Sequence, residues 1–208
     1  MTLAICVFGV GKSPDKKADL NISGNKIKNI TERAIDINQV GGRARIDRNV
    51  ITTGFIAGPL NGLQPDVIHA AGSGQYFIAH NSIASEWASG AGIRVQGRAW
   101  SPEANAIIVN NDIAMSAPEH TIFRANSAGI EIRGWAQSNA VRNNRIRGRA
   151  RAALAVVVQN GEIPRKNTFF SNDLKGFQAT LNNVSVDADV IDTIIDQQKA
   201  GRRSQTWK

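Results

Sequence analysis

One phrase recurs six times along this chain: an apolar residue, two variable positions, Asn, one variable position, then Ile or Leu. The copies are Ile22-Ser-Gly-Asn25-Lys-Ile27, Ile46-Asp-Arg-Asn49-Val-Ile51, Ile78-Ala-His-Asn81-Ser-Ile83, Ile108-Val-Asn-Asn111-Asp-Ile113, Val141-Arg-Asn-Asn144-Arg-Ile146 and Phe169-Phe-Ser-Asn172-Asp-Leu174. Successive Asn residues are 24, 32, 30, 33 and 28 positions apart. A period in this range is the signature of a stacked repeat architecture. Each phrase reads as a strand that turns a corner, with its apolar ends pointing inward and Asn at the bend. Asn tolerates the left-handed backbone, and its amide bonds neighbouring backbone groups. If each repeat is one coil, the six amides stack as a ladder at about 4.8 Å and satisfy one another.

A second strand follows in most repeats: Ala34-Ile-Asp-Ile-Asn38, Val67-Ile-His-Ala-Ala71, Gly92-Ile-Arg-Val-Gln96, Gly129-Ile-Glu-Ile-Arg133 and Ala155-Val-Val-Val-Gln159. Most alternate apolar and polar residues with period two, the pattern of a strand with one buried face. No long segment has a helical period, and Gly, Ser, Asn and Pro punctuate the gaps. An antiparallel sandwich also has many short strands, but it does not require the same phrase at every corner. The expected fold is therefore all-β, a right-handed single-stranded parallel β-helix of about six coils. Residues 1–19 are read as a cap or first strand, 20–196 as the solenoid and 197–208 as a flexible basic tail.

From Leu20 to Asp196, with Ser23-Gly-Asn25-Lys-Ile27 as a representative phrase, the chain resembles the parallel β-helix proteins of the pectin-lyase-like superfamily, including periplasmic copper-pathway-type β-helix repeats. The resemblance implies fold more strongly than function, because one fold hosts many functions. It also implies an extracellular or periplasmic location. In enzymes of this kind a polymer lies along a parallel sheet face, and some lyases among them use acids, calcium and a basic residue on sugar acids.

At 208 residues the chain is one domain on length, and six coils can bury a continuous core. A formal charge of +8 favours anionic partners. The single cysteine, Cys6, excludes an intramolecular disulfide. No segment approaches the roughly 18 apolar residues of a membrane span. Met1 to Val10 lacks a basic lead and a clear cleavage site, so it reads as a poor signal peptide; the chain also fits a fragment of a longer secreted protein. Gly9-Val-Gly11-Lys12-Ser13 imitates the end of a phosphate loop. The earlier glycine of that motif is replaced by Cys6 and no helical pattern follows, so nucleotide binding is rejected.

Read down the stack, the outward positions of the second strands form two rows: Asp36, His69, Arg94, Glu131 and Val157, then Asn38, Ala71, Gln96, Arg133 and Gln159. Trp100 and Trp135 follow these strands. A charged groove flanked by Trp suits a sugar polymer, whose apolar faces stack on rings while its hydroxyls meet polar groups. His69, Glu131 and Asp36 are the catalytic candidates, with His69 or Glu131 transferring the proton. Arg94, Arg133, Gln96, Trp100, Trp135 and Arg145 are the substrate-binding candidates. A solvated ladder of ion pairs accounts for the same residues. Asp36 and Glu131 lie three coils apart, roughly 14 Å, too far for a glycosidase pair.

The residues after each ladder Asn form another outward row, in which Asp112, Arg145 and Asp173 alternate in charge. Arg145, Arg147, Arg149 and Arg151 would share one face of an extended strand, with Arg142 nearby, and suit carboxylates. His69, His80 and His120 are dispersed, so no metal site is expected. No cofactor is required by these residues; calcium enters only through the resemblance. The long gaps Thr52–Pro65 and Ala114–Ala128, with Glu86, Trp87, Glu119 and His120, are expected to overhang the groove.

The expected function is binding of an acidic polysaccharide, with cleavage or epimerisation as its catalytic form: a polysaccharide lyase, glycoside hydrolase or epimerase acting on a uronate polymer. Nucleic acid is not expected, because no recognisable module is present. The alternatives are a non-catalytic structural or adhesive rod, or a fragment of a larger β-helix protein. Substrate and oligomeric state stay open.

Overall fold

The computed structural model describes residues 4–9, 19–30, 33–38, 41–53, 66–85, 90–98, 104–116, 127–179, 183–190, 192–196 and 205–207. Among them there is no helix, and the strands form three sheets. Sheet A is built from β1 (Ile5–Phe8), β4 (Ile35–Asn38), β7 (Ile68–Ala71), β10 (Ala91–Gly97), β13 (Ala128–Gly134), β16 (Ala152–Val157) and β19 (Val184–Val186), in that order. Sheet B contains β2 (Asp19–Ser23), β5 (Arg43–Asp47), β8 (Gly74–Ala79), β11 (Ala104–Val109), β14 (Ala140–Arg142), β17 (Thr168–Phe170), β20 (Thr193–Asp196) and β21 (Gln205–Trp207). Sheet C runs from β3 (Lys26–Ile30) through β6 (Val50–Thr53), β9 (Ser82–Ser85), β12 (Asp112–Ser116) and β15 (Arg145–Ala150) to β18 (Phe177–Ala179).

The chain thus visits sheets A, B and C in turn, and each visit adds one strand to each sheet. Every pairing between named strands is parallel except the last, where β21 runs antiparallel to β20. This connectivity is consistent with a β-helix solenoid and excludes the antiparallel sandwich. At the N-terminal end, β1 joins sheet A with Ile5 opposite Ile35. At the other end, residues 205–207 of the basic tail form a strand against β20; the remainder of the tail lies outside the described residues.

The repeat explains the core. In sheet B, Ile22, Ile46, Ile78, Ile108, Val141, Phe169 and Ile195 stand in register through the stack. In sheet C the column is Ile27, Ile51, Ile83, Ile113 and Ile146. Nearly all are buried completely. Each such side chain contributes about 1.5–3 kcal/mol on burial. Branched side chains stiff at χ1 suit this arrangement, because like stacks on like in a single rotamer.

The six corner amides form the expected ladder. Asn25, Asn49, Asn81, Asn111 and Asn144 each donate from Nδ2 to the Oδ1 of the next Asn, at 2.9 Å in every case, ending on Asn172. Each of these five backbone N–H groups donates to the same oxygen, at 3.0–3.1 Å. From Asn49 onward, each Nδ2 also donates to a carbonyl of the coil before.

The corner conformation differs from expectation in one respect. The left-handed residue is not the Asn but the one before it: Gly24, Arg48, His80, Asn110, Asn143 and Ser171, with φ between 52° and 69°. The left-handed residue faces solvent, so its side chain varies freely. The Asn that follows turns into the corner, where only its amide geometry completes the bonds. A shorter ladder, which the repeat had not announced, stands at another corner: Asn139 donates to Asn167 Oδ1 at 2.7 Å, again after left-handed Ser138 and Lys166.

Candidate functional site

Sheet A brings the expected groove residues together. Asp36 pairs in register with His69, His69 with Arg94, and Arg94 with Glu131. It does not leave them open. Asp36, His69, Arg94 and Glu131 are only 3%, 0%, 4% and 2% exposed, and Gln96 is 8% exposed. Strands β4, β7 and β10 are buried at every position, unlike the alternating strands of sheets B and C. The expected solvated groove is therefore corrected: this row is covered on its outer side as well as its inner one. Of the gap residues expected to overhang it, 54–65, 86–89 and 117–126 lie outside the described residues, and so does Trp100.

Burial forces the charges to satisfy one another. Arg33 Nη1 donates to Asp36 Oδ2 at 2.9 Å, and its Nε lies 3.8 Å from Asp66 Oδ2. Arg94 Nη1 donates to the same Asp66 oxygen at 2.7 Å, and Arg94 Nε donates to Glu131 Oε1 at 2.9 Å. Arg133 Nε closes the chain with an ion contact to Glu131 Oε1 at 2.5 Å. Three guanidiniums thus face three carboxylates across neighbouring strands. Alongside runs a chain of side-chain hydrogen bonds: His69 Nδ1 lies 2.7 Å from Asp36 Oδ1, His69 Nε2 lies 3.1 Å from Gln96 Oε1, and Gln96 Nε2 donates to Gln159 Oε1 at 2.7 Å. Burial pushes the Asp36 carboxyl up, but His69 and Arg33 outweigh it and hold it below the ordinary carboxylate range. Burial likewise opposes the charge on Arg94, and Asp66 with Glu131 overcomes it. Arg94 Nη2 has no partner among the described residues.

The sequence did not point to Arg33 or Asp66, because both sit just outside the strands whose period was read. It also misaligned the fifth strand by two residues. Glu131 faces Ala155, and Arg133 faces Val157. The run Ala152-Ala-Leu-Ala-Val-Val157 is buried on both faces over most of its length and has no alternation to set a register. Trp135 is half-buried, with the Arg165 guanidinium 5.9 Å from its ring centroid and its own Nε1 buried.

The basic stripe on sheet C is also revised. Register sets Asp112, Arg145 and Asp173 in line, but the Asp112 carboxylate takes its hydrogen bond from Arg147 Nη1, at 2.7 Å. Gly148 interrupts the alternation at φ 93°, where a Cβ would come within 2.0 Å of Met115 O. The four arginines therefore do not share one regular extended face; Arg145 is exposed, while Arg147, Arg149 and Arg151 are half-buried.

A second cluster, absent from the expected site, sits where sheet B meets the Asn corner. Asp47 is 1% exposed. Its Oδ2 accepts from Arg45 Nη2 at 3.0 Å and lies 3.5 Å from Arg48 Nη1. Its Oδ1 accepts from His80 Nδ1–H at 3.0 Å, and Asn110 Nδ2 donates to His80 Nε2 at 3.3 Å. Burial raises the Asp47 carboxyl, but His80, Arg45 and Arg48 bring it below its ordinary range. Beside it, the outer face of sheet B carries Arg45 over the Phe77 ring at 4.9 Å and Arg142 over Phe170 at 5.9 Å. Ile107, 39% exposed, stands between them, next to Phe77 in register.

No protein-family model matches this chain, and no curated protein or solved structure matches it. Among the described residues, no group of three or more His, Cys, Asp or Glu side chains is placed to hold a metal ion, and no helix is long and apolar enough to cross a membrane.

Proposed function

We propose that this chain is a right-handed parallel β-helix of the pectin-lyase-like kind that binds an acidic polysaccharide along the outer face of sheet B. One observation carries the reading: two guanidinium–aromatic pairs, Arg45 with Phe77 and Arg142 with Phe170, flank an exposed apolar centre on a chain of charge +8. Sugar rings present apolar faces to aromatic and aliphatic side chains, and uronate carboxylates match exposed guanidinium forks. A polymer partner of this chemistry belongs to an extracellular or periplasmic setting. Calcium is the ion to include in titrations, since polymer carboxylates supply hard oxygen ligands themselves.

Cleavage or epimerisation by His69, Glu131 and Asp36 would need solvent access that their side chains lack, so binding is the form of the proposal we favour. The buried, mutually paired row of sheet A supports a second reading, a non-catalytic rod whose ladders serve stability alone.

The test is an acidic-glycan array at low salt, followed by titration of any polymer retained. Replacing Arg45 and Arg142 together by Ala is expected to weaken binding about tenfold, the sum of two exposed charge contacts. Silence across all acidic glycans leaves the rod. Binding that is indifferent to the double substitution moves the site off sheet B.

A further inference from the structure

Histidine is the side chain that changes charge between about pH 5 and pH 8, and one histidine stands on the rim of sheet B. His80 follows directly on β8, the strand of Phe77, whose ring lies 4.9 Å beneath the Arg45 guanidinium. The corner holds it in the left-handed conformation, φ 54°, with its side chain 46% exposed. His69, by contrast, is buried completely and meets no ligand.

Two neighbours fix the neutral form of His80. The Asp47 carboxylate, 3.0 Å from Nδ1, only accepts, and the Asn110 amide nitrogen, 3.3 Å from Nε2, only donates. Nδ1 therefore carries the hydrogen and Nε2 keeps a lone pair. A second proton enters at Nε2, and the bond to Asp47 survives it. Asn110 is exposed, so its amide is free to turn and present Oδ1 instead.

The charged groups around the imidazole are Asp47 and the two guanidiniums gathered on it, Arg45 and Arg48. Asp112, the acid of the next coil, is engaged by Arg147. One carboxylate against two guanidiniums leaves this cluster a single net positive charge. Protonation of His80 doubles it.

We infer, resting on the polysaccharide reading above, that His80 is a conditional member of the binding surface. Protonated below neutrality, it adds a cation beside Phe77 and tightens the hold on an acidic polymer. The gain is present at low pH and is lost as pH rises through the histidine range. Uronate carboxylates titrate near the ordinary carboxylate value of about 4, so the polymer keeps its charge throughout.

The test is titration of polygalacturonate, and separately of dextran sulfate, at about pH 7.5 and about pH 5.5 and one ionic strength. Tightening of about threefold to fivefold at the lower pH is expected for both polymers, the worth of one exposed charge contact. His80→Gln keeps an uncharged hydrogen-bonding group against Asp47. It is expected to match the unaltered chain at the higher pH and to lose the pH step. His80→Lys stands where the preceding coil has Arg48, in the same backbone conformation. It is expected to bind at the higher pH as tightly as the unaltered chain does at the lower. Absence of the step in the unaltered chain, or a step that His80→Gln retains, overturns the inference and leaves the polysaccharide reading standing. A step confined to polygalacturonate also overturns it, because the titrating group then belongs to the polymer. Failure of both polymers to bind at either pH overturns the two together.

Discussion

Two histidine–aspartate pairs, each made across one coil step by residues 33 apart in sequence, have opposite fates. Asp36 and His69 meet at 2.7 Å inside the covered face of sheet A, where the imidazole is fully buried. Asp47 and His80 meet at 3.0 Å at the rim of sheet B, where the carboxylate is buried but the His80 side chain is 46% exposed. The bond is the same in both; access and neighbours differ. Beside the buried pair lie Arg33, Asp66, Arg94, Glu131 and Arg133, a closed set of countercharges that leaves little for a ligand. The open pair lies beside Arg48, whose side chain is 72% exposed, and beside the aromatic face of sheet B. A charged row on a stack of parallel strands can therefore be internal structure while a plainer row beside it meets the solvent.

That contrast can be broken most severely at Arg94. Arg94→Ala strands Asp66 and Glu131 without their shared partner, and a broken buried pair costs about 3–5 kcal/mol. The exposed counterpart, Arg147→Ala, removes a surface pair worth at most about 1 kcal/mol. Urea unfolding of the two variants measures the ratio; similar losses would mean that sheet A is open in solution.

The histidines give the next largest difference. His69→Ala leaves Asp36 its bonds from Arg33 and Asn38 but strips Gln96 Oε1 of its partner in a buried setting, at about 1–3 kcal/mol. His80→Ala leaves Asp47 its two arginines, and a loss near 0.5–1 kcal/mol is expected. Thermal unfolding should rank them in that order.

A gain of comparable size is available at the shorter ladder. Asn167 Nδ2 and Thr193 Oγ1 are both buried with no hydrogen-bond partner among the described residues, and Thr193 occupies the rung that would follow Asn167, after left-handed Asp192. Thr193→Asn supplies the missing amide at similar volume and is expected to add about 1 kcal/mol. Lower stability would show that the rung is misplaced.

The mildest test is acid. The Asp36 and Asp47 carboxyls are both held below their ordinary range in the folded chain. Their stabilisation is complete above the unfolded value, about 3.9, and is lost as pH falls through the lower folded values. The melting temperature should change little from these groups between neutrality and about pH 5, then fall below pH 4. Asp47→Asn should flatten part of that fall.

Much of the fold was legible because it is periodic. The phrase ending in Asn25, Asn49 and their successors repeats at each corner, so stacking could be read without coordinates. The left-handed position was missed for a physical reason: its side chain faces water, so Arg48, His80 and Ser171 share a backbone shape and nothing else. The register of Ala152–Val157 was missed because a strand buried on both faces carries no alternation. The candidate site was legible only as a row. Asp36, His69, Arg94 and Glu131 were correctly brought together, but their exposure was not.

By itself the sequence determined that identical positions stack, because each coil must bury the same inward apolar residues against the next. It also determined the amide ladder, since the same corner recurs at each coil. Tertiary structure alone decided which outward row is sealed. Burial of an outward side chain depends on partners far along the chain, as when Gln96 bonds Gln159, 63 residues away, and Arg94 finds Asp66 outside its own strand. Period-two alternation gives the direction of a side chain from the sheet; it carries no information about what lies above it.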